Sequence, residues 1–297
     1  MTARALGATG LAVSPLGLGC GPLGAPGLDE AAAARVVHAA LDHGVRVFDT
    51  APSYGASEER LARALAGRRR EATLVTKGGY GVPGVPDWTP ECVALGIDRA
   101  LRVLCTDVLD VFLLHSCSEE LLRRGDLVEP LARAREAGKV RAVGYSGDGE
   151  ALSAALATAA FDVVECSVSV VDRASLPRLG GASAGVLAKR PLANAAWARL
   201  GRPNGEGEPR VDVAEYARRV EALFAKGDPP LGLPMDELFL RFAAHAPGVS
   251  CALVGTSRVD GVIRAAEVAA RGPLPAETLA ALDQRHRARG QGFFGLV

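Results

Sequence analysis

The sequence predicts an α/β protein of the (β/α)8 TIM-barrel class, in which eight parallel strands form a closed barrel inside a ring of helices. Short apolar runs alternate with helical patterns along the whole chain of 297 residues. The runs are apolar at successive positions, as in strands that are covered on both faces. An open dinucleotide-binding sheet is the alternative, but no G-x-G-x-x-G motif follows the first strand. A barrel of about 250 residues accounts for most of the length, so we expect one domain over residues 1–297.

The expected elements follow one another as strand–helix units. A short N-terminal strand or hairpin precedes them, and an extra helix follows them. The strands are expected at Leu16–Cys20, Val45–Phe48, Thr73–Thr76, Val108–Leu114, Val140–Tyr145, Val163–Ser167, Gly185–Lys189 and Cys251–Val254. The helices are expected at Glu30–His43, Ser57–Ala66, Pro90–Leu104, Leu127–Ala137, Gly149–Ala159, Val211–Ala225, Met235–Ala246 and Val259–Ala270, with the extra helix at Ala276–Arg289.

Residues that typically begin or end helices support these limits. Pro90 stands at a first helical position, where its missing N–H costs least. Gly44 and Gly138 directly follow two helical patterns, and glycine commonly ends a helix there. Ser57 opens the second helix, so we expect its hydroxyl to cap that helix.

The composition argues against several classes of protein. Hydrophobic residues make up 48% and charged residues 23%, as in ordinary globular proteins. With 34 basic and 34 acidic residues, no overall charge attracts nucleic acid or an anionic membrane. No run of about 18 apolar residues predicts a membrane span, and the N-terminus lacks the pattern of a secretory signal. The six scattered cysteines are typical of a reduced, cytoplasmic protein, and their spacing predicts no metal site.

Four polar residues stand at or just after the ends of three apolar runs: Asp49, Tyr54, Lys77 and His115. In a parallel barrel these strand ends lie on one face, where active sites are built. Taken singly, each residue has a common structural role in a turn or in the core. A carboxylate, a phenol, an ammonium and an imidazole that meet at one point indicate a proton-transfer site.

The four residue types suit the protonation of a carbonyl oxygen. A free phenol has a pKa of about 10, and we expect the Lys77 ammonium to lower the pKa of Tyr54. Asp49 would hold Lys77, and a neutral His115 would donate a hydrogen bond to the substrate oxygen. None of these side chains can supply a hydride, so a nicotinamide or flavin cofactor is required.

A family resemblance adds to these expectations. The segments that carry it are, in order, LGLGCGPLG, FDTAPSYGASEERLARAL, LVTKGG, DVFLLHS, VRAVGYSG and LVGTSR. Together they cover nearly the whole chain, and the chain resembles the aldo/keto reductase superfamily. The resemblance implies an eight-stranded barrel that binds NAD(P)H without a Rossmann fold. It also implies Tyr54 as general acid/base, Lys77 and Asp49 as its tuning partners, and His115 as the residue that orients the substrate.

The resemblance also implies where the cofactor binds. It places the nicotinamide carboxamide near Ser146 and Glu165. It places the adenosine phosphate near Gly255, Thr256, Ser257 and Arg258, where a helix N-terminus and a guanidinium suit a 2′-phosphate. Arg258 favours NADP (NADPH) as cofactor, with NAD as the alternative.

Five residues depart from the family pattern. Glu165 stands where glutamine is usual, and Gly147 where asparagine is common. Lys189 and Arg190 stand where many members place an aromatic residue, and they could instead hold the pyrophosphate. Ala265 replaces an asparagine that contacts adenine in other members.

We therefore expect an oxidoreductase that transfers a hydride between NAD(P)H and a small aldehyde or ketone, or the corresponding alcohol or sugar. A nucleotide-binding regulatory barrel with little turnover is one alternative, and a lyase or isomerase that uses Lys77 as a Schiff-base amine is another. The irregular segment 192–210 follows the seventh barrel strand and would lie over the catalytic face, either as a cover for bound ligand or as an ordinary insertion. Aromatic residues in loops are weaker candidates for the substrate pocket: Tyr80, Trp88, Trp197, Phe293 and Phe294. We expect a monomer or a weak homo-oligomer.

Overall fold

The computed structural model describes residues 1–199, 211–225, 228 and 231–296, and its centre is a closed barrel of eight parallel strands. An antiparallel hairpin of strand β1 (Arg4–Ala5) and strand β2 (Ala12–Val13) precedes the barrel. The last barrel strand pairs with the first, with Gly255 opposite Gly19, and this pairing closes the barrel. The predicted fold class is confirmed.

Each barrel strand neighbours the strand that follows it in the chain. The barrel strands are β3 (Leu16–Gly19), β4 (Val47–Asp49), β5 (Thr73–Gly78), β6 (Leu109–His115), β7 (Val140–Ser146), β8 (Val163–Ser167), β9 (Gly185–Lys189) and β10 (Cys251–Gly255). The helices are α1 (Glu30–Asp42), α2 (Ser57–Ala64), α3 (Pro90–Val103), α4 (Glu119–Arg124), α5 (Val128–Glu136), α6 (Gly149–Ala157), α7 (Leu176–Leu179), α8 (Val211–Leu223), α9 (Met235–Ala244), α10 (Val259–Ala270) and α11 (Ala276–Arg289). Within the described ranges, short 3₁₀ segments lie at Gly21–Gly24, Arg69–Glu71 and Ala193–Arg199, the last of which is interrupted at Asn194 and Ala195.

The helix-end signals are confirmed except at one position. The Thr89 hydroxyl caps α3, with Pro90 in the first turn, and Gly44 and Gly138 take left-handed φ angles after α1 and α5. The prediction that Ser57 caps α2 is wrong, because Ala56 occupies the N-cap and no side chain caps this helix. The Ser57 hydroxyl instead donates to the Cys20 carbonyl oxygen at 2.8 Å, which ties α2 to the end of β3.

The lower half of the barrel interior is apolar, and the N-terminal hairpin closes it. The residues that pack together there are Leu6, Leu11, Val13, Val47, Val75, Val111, Leu113, Ala142, Val163, Leu187, Cys251 and Leu253. Leu6 has no exposed surface and lies against Gly185 at the start of β9. The hairpin therefore fills the N-terminal end of the barrel, while the outward side chains of the strands pack against the helices.

At the C-terminal end of the barrel, the inward-facing side chains of the same strands are polar. Side chains two residues apart on a strand point to the same side. Positions two residues beyond the apolar layer therefore also point inward: Asp49, Lys77, His115, Glu165 and Lys189. The C-terminal mouth of the barrel thus collects the charged side chains.

The cysteines take no part in cross-links. All six are free thiols, and Cys105 alone among them is exposed. Burial raises the pKa of Cys117 to about 12, which keeps this thiol protonated. Among the described residues, no helix combines the length and the apolar character that crossing a bilayer would require.

Candidate active site

One buried ammonium lies between two buried carboxylates at the mouth of the barrel. Lys77 donates a hydrogen bond to the Asp49 carboxylate and a second, of 3.2 Å, to the Thr50 carbonyl oxygen. The Glu165 Oε2 atom lies 3.3 Å from Lys77 Nζ. Asp49 and Lys77 are therefore brought together as expected, and Glu165 is a third member of the same cluster.

Charge within this cluster controls how its members hold protons. Burial opposes the charge on Lys77, but Asp49 and Glu165 outweigh it and raise the pKa of Lys77 well above its ordinary value. Burial, assisted by the Glu165 carboxylate, raises the pKa of Asp49 to about 8. Burial also opposes the charge on Glu165, yet the Lys77 and Lys189 ammonium groups lower the pKa of Glu165 below its ordinary value. Glu165 and Lys77 are thus an ionised pair near neutral pH.

Tyr54 is presented by a turn that packs tightly on the loop after β3. A Cβ atom on Gly24 would overlap the Tyr54 carbonyl oxygen, so only glycine allows this approach. The centre of the Tyr54 ring lies 5.3 Å from Lys77 Nζ. The expectation that Lys77 lowers the pKa of Tyr54 overall is wrong. Burial raises that pKa, Asp49 and Glu165 add to the rise, and Lys77 offsets only part of it, so the phenol is protonated at neutral pH.

His115 lies beside Tyr54 and is held by a residue that the sequence did not single out for this role. The two rings meet edge to face, with centroids 5.9 Å apart. His115 Nδ1 lies 2.6 Å from the Tyr80 hydroxyl, which also lies 2.8 Å from Ser53 Oγ. Burial and the Lys77 charge lower the pKa of His115 to about 3, so the imidazole is neutral at neutral pH, as expected.

These side chains open into one cavity of about 910 Å³ at the C-terminal mouth. Residues from the loops after β3 and β4, from the five later strands β6 to β10 and from the segment after β9 contribute to its wall. The predicted site residues among them are Asp49, Tyr54, His115, Ser146, Glu165, Lys189, Arg190 and Gly255. Lys77 lies beneath this wall, with its side chain wholly covered.

The predicted cofactor contacts inside the cavity already have partners within the chain. The Ser146 hydroxyl donates to Glu165 Oε1 at 3.0 Å. Lys189 pairs with buried Asp148 at 3.1 Å, and Arg190 donates to the Leu296 carbonyl oxygen at 2.7 Å. Arg190 therefore ties the C-terminal segment to the barrel.

The predicted phosphate contacts lie at the rim of the mouth. Gly255 ends β10 in the cavity wall, and Thr256, Ser257 and Arg258 lead from it into the N-terminus of α10. The Arg258 guanidinium is exposed and pairs with the Asp260 carboxylate through two nitrogens. A phosphate at this position would share Arg258 with Asp260.

Packing explains two of the departures from the family pattern. A Cβ atom on Gly147 would overlap the Tyr145 hydroxyl, which donates to the Cys117 carbonyl oxygen at 3.0 Å. Asparagine therefore does not fit at position 147. Ala265 is 6% exposed on the face of α10 that packs against the barrel, so its side chain belongs to the core.

The other aromatic candidates are mostly structural. Trp88 packs on Tyr80, with ring centroids 5.8 Å apart, and Trp197 packs on Phe239 at 4.7 Å. Phe293 is partly buried beside Arg219, whereas Phe294 is 70% exposed. In the segment 192–210, Leu192, Asn194 and Ala195 contribute to the cavity wall, and residues 200–210 lie outside the described residues.

Comparison with known proteins places this chain in one family. The model of the aldo/keto reductase family matches residues 15–286. The chain belongs to the aldo/keto reductase family. It is 30% identical to L-galactose dehydrogenase from Arabidopsis thaliana over 282 residues, which cover 87% of this chain and 85% of that protein. It is 36% identical to 6-dehydroglucose reductase from Novosphingobium aromaticivorans over 154 residues, about half the length of that relative.

Solved structures of other aldo/keto reductases share the fold. The holo form of an aldo-keto reductase from Bacillus halodurans superposes with a TM-score of 0.81 at 27% identity, over 96% of both chains. An aldo/keto reductase from Klebsiella pneumoniae, in complex with NADP and acetate, gives a TM-score of 0.74 at 25% identity over the whole of both chains. The named relatives are reductases and dehydrogenases, so this aldo/keto reductase is an oxidoreductase by family.

Proposed function

We propose that this aldo/keto reductase transfers a hydride between NADP(H) and a small aldehyde or ketone, or the corresponding alcohol. One observation carries the proposal. A protonated phenol, a neutral imidazole and a buried ammonium, from Tyr54, His115 and Lys77, converge at the wall of a single cavity. This is the set of groups needed to protonate a carbonyl oxygen and to stabilise the phenolate that remains.

The residues of the cavity fit a nicotinamide. Glu165 Oε2 is buried and lies 3.3 Å from the Lys77 ammonium, but it makes no hydrogen bond within the described chain, so it offers an acceptor to a carboxamide NH2 group. Ser146 and Glu165 would hold the nicotinamide end, Lys189 and Arg190 the pyrophosphate, and Gly255 to Arg258 the adenosine phosphate. The bound cofactor would supply the hydride. The Klebsiella pneumoniae relative was solved with NADP, which supports NADP as cofactor ahead of NAD.

Tyr54 would give its proton to the carbonyl oxygen when the carbonyl carbon receives the hydride. Lys77 then stabilises the phenolate, and Asp49 and Glu165 hold Lys77 in place. For oxidation of an alcohol the same phenolate would accept the hydroxyl proton. The wholly covered Lys77 side chain acts through its charge and does not touch the substrate.

We also assign a positioning role to Tyr80. Its hydroxyl contacts both His115 Nδ1 and Ser53, and each hydroxyl carries one proton. When Tyr80 donates to Nδ1, the proton of His115 sits on Nε2 and can be donated to a carbonyl oxygen. When Tyr80 donates to Ser53, His115 Nε2 can accept from an alcohol. The contact therefore suits both directions of the reaction.

The substrate class that we favour is a sugar-like carbonyl compound or alcohol. Two relatives are named for reactions of sugars, L-galactose dehydrogenase and 6-dehydroglucose reductase. The outer wall of the cavity supports this class, because Ser53, Ser116 and Asn194 are exposed there and offer hydrogen bonds. The six free thiols support a reducing, cytoplasmic location.

The Schiff-base alternative is disfavoured by the state of Lys77. Its raised pKa keeps it an ammonium, whereas a Schiff base requires a free amine. The regulatory alternative differs in turnover, so one experiment separates it from an enzyme. Purified protein is titrated with NADPH and NADH by fluorescence, and sugar aldehydes and ketones are then screened for loss of NADPH absorbance.

We expect binding of NADPH with a dissociation constant on the order of micromolar and turnover of at least one carbonyl compound. Binding without any turnover across the screen would favour the regulatory barrel. Absence of binding by both nucleotides would overturn the proposed function.

A further inference from the structure

The buried cluster at the barrel mouth contains one more acidic group than it has cations to match. Asp49 and Glu165 share the single ammonium of Lys77. Lys189 does not correct this imbalance, because it pairs with Asp148, itself 3% exposed. Above the Asp49 pKa of about 8, where both carboxyl groups are ionised, a positive charge that entered the cavity would therefore meet one negative charge in excess.

We propose that Glu165 makes this site bind the oxidised, cationic form of the nicotinamide more tightly than the reduced, neutral form. The inference rests on the proposed function, since it concerns the cofactor of that reaction. It goes further in assigning to Glu165 a selectivity between the two redox states.

The geometry places Glu165 close to the reacting groups. Its Oε2 atom is 3.3 Å from Lys77 Nζ, and the same nitrogen is 5.3 Å from the centre of the Tyr54 ring. Glu165 and Tyr54 line the same cavity. A nicotinamide placed to exchange a hydride with a carbonyl group whose oxygen contacts Tyr54 would therefore be exposed to the electric field of the Glu165 carboxylate. Glu165 is 2% exposed, and water screens such a charge weakly.

Two further observations show that Glu165 is ionised and that one of its carboxylate oxygens makes no hydrogen bond. Ser146 satisfies Oε1, whereas Oε2 has no hydrogen-bond partner among the described residues. The Lys77 and Lys189 cations keep the carboxyl group ionised, with its pKa below the ordinary value. An amide at this position would offer the same acceptor oxygen without the charge.

The consequence for the reaction follows from charge balance. In carbonyl reduction, two electrons and one proton reach the carbon as a hydride, and the oxygen takes the Tyr54 proton. Loss of the hydride would leave one positive charge on the nicotinamide, which the Glu165 carboxylate would attract. Glu165 therefore favours the products of reduction on the enzyme, and the protonated state of Tyr54 suits the same direction.

The test compares the two redox states by binding alone. Dissociation constants for NADP⁺ and NADPH are measured by calorimetry on the wild-type protein and on Glu165→Gln and Glu165→Asp, in buffer above the Asp49 pKa of about 8. Glutamine keeps the size and the acceptor oxygen but removes the charge, and aspartate keeps the charge. We expect wild type to prefer NADP⁺, and Glu165→Gln to shift the ratio of the two constants toward NADPH by about tenfold, which corresponds to about 1.4 kcal/mol. Glu165→Asp should keep the wild-type preference.

A ligand without the nicotinamide controls for the rest of the site. The affinity for 2′-phospho-ADP-ribose should be equal in wild type and Glu165→Gln. An unchanged NADP⁺/NADPH ratio in Glu165→Gln would overturn the inference and leave the proposed function intact. If Glu165→Gln does not fold, the wild-type protein alone still tests the proposal. Wild-type protein that binds NADPH as tightly as NADP⁺ would contradict it. Failure of wild type to bind either nucleotide would instead remove the proposed function.

Discussion

The two ends of the barrel are built from the same strands and the same inward-facing register, yet they differ in almost every property. At the N-terminal end, Val47, Val75 and Val163 pack with the hairpin into a buried apolar layer. Two residues further along each of those strands stand Asp49, Lys77 and Glu165. One step of strand periodicity thus separates the part of the barrel that stabilises the fold from the part that carries the chemistry.

The difference between the apolar and the charged end shows which part of the barrel stabilises the fold. Removing apolar side chains from water is favourable, whereas burying charged groups costs free energy that their mutual attraction repays only in part. The raised pKa of Asp49, about 8, reflects this cost at the mouth. The apolar layer at the N-terminal end and its hairpin offset this free-energy cost and stabilise the barrel.

The largest expected effect is a loss of kcat, and it tests the catalytic groups at the C-terminal mouth of the barrel. Tyr54→Phe should lower kcat by about 10²–10⁴-fold, because it removes the proton that general acid catalysis transfers. NADPH affinity should stay within about threefold of wild type, since the ring and the Lys77 environment are kept. Steady-state kinetics and a fluorescence titration check both values. Full activity of Tyr54→Phe would contradict the assigned role.

The second prediction tests the opposite end. Leu6→Ala should lower the free energy of unfolding by about 2–5 kcal/mol, because it leaves a cavity in the layer under the barrel. Urea unfolding measures this loss. At a temperature where the variant is fully folded, kcat should equal that of wild type. A large loss of kcat in the folded variant would show that the two ends are not separable.

The third prediction tests the contact that orients His115. Tyr80→Phe should lower kcat/KM by about tenfold, because His115 Nδ1 loses its hydroxyl partner. Nitrogen NMR should show His115 with an altered tautomer ratio, which a change in packing alone would not produce. The matched control is Tyr145→Phe, which deletes another tyrosine hydroxyl outside the cavity wall and should change stability more than kcat/KM. Equal kcat/KM in Tyr80→Phe and wild type, with an unchanged tautomer ratio, would remove this role.

The smallest effect concerns pH and the two carboxylates. In the folded chain Asp49 keeps its proton up to a pKa of about 8, from an ordinary value of 3.8. Between these pH values the folded state holds one proton more than the unfolded state, so stability falls as pH rises. Glu165 is one cause of the raised pKa, so Glu165→Gln should reduce this fall by about 1.4 kcal/mol for each unit by which the pKa drops.

The measurement is urea unfolding of both proteins at about pH 5 and about pH 8, which bracket most of the window. The histidines are common to both proteins, so their titration cancels in the difference. Identical pH dependence of stability in the two proteins would show that Glu165 does not act on Asp49.

The strand ends could be predicted because apolar runs and register are local properties. Asp49, Lys77 and His115 therefore fell on the expected face. The pairing of Lys77 with Glu165 joins β5 to β8 across the interior, and no local pattern encodes a contact between strands that are not neighbours. The sign of the Tyr54 pKa shift was missed for a related reason, since it depends on burial, which the folded chain alone determines.

Helix ends show the same limit. Thr89 caps α3 and Pro90 occupies its first turn, as their residue types suggest. The hydroxyl of Ser57 instead donates to the carbonyl oxygen of Cys20, a residue 37 positions earlier in the chain. The short helix α4, between Ser118 and Gly125, has good capping residues but only six helical positions, too few for a periodic pattern.

The fit of Gly147 under the hydroxyl of Tyr145 constrains how this protein can change. A side chain at position 147 becomes acceptable only after the ring of residue 145 has moved or been replaced by a smaller side chain, because the ring carbons as well as the hydroxyl would overlap a Cβ atom there. Acquisition of an asparagine at 147 is thus a two-step path with a fixed order. Engineers who wish to graft that asparagine should alter residue 145 first.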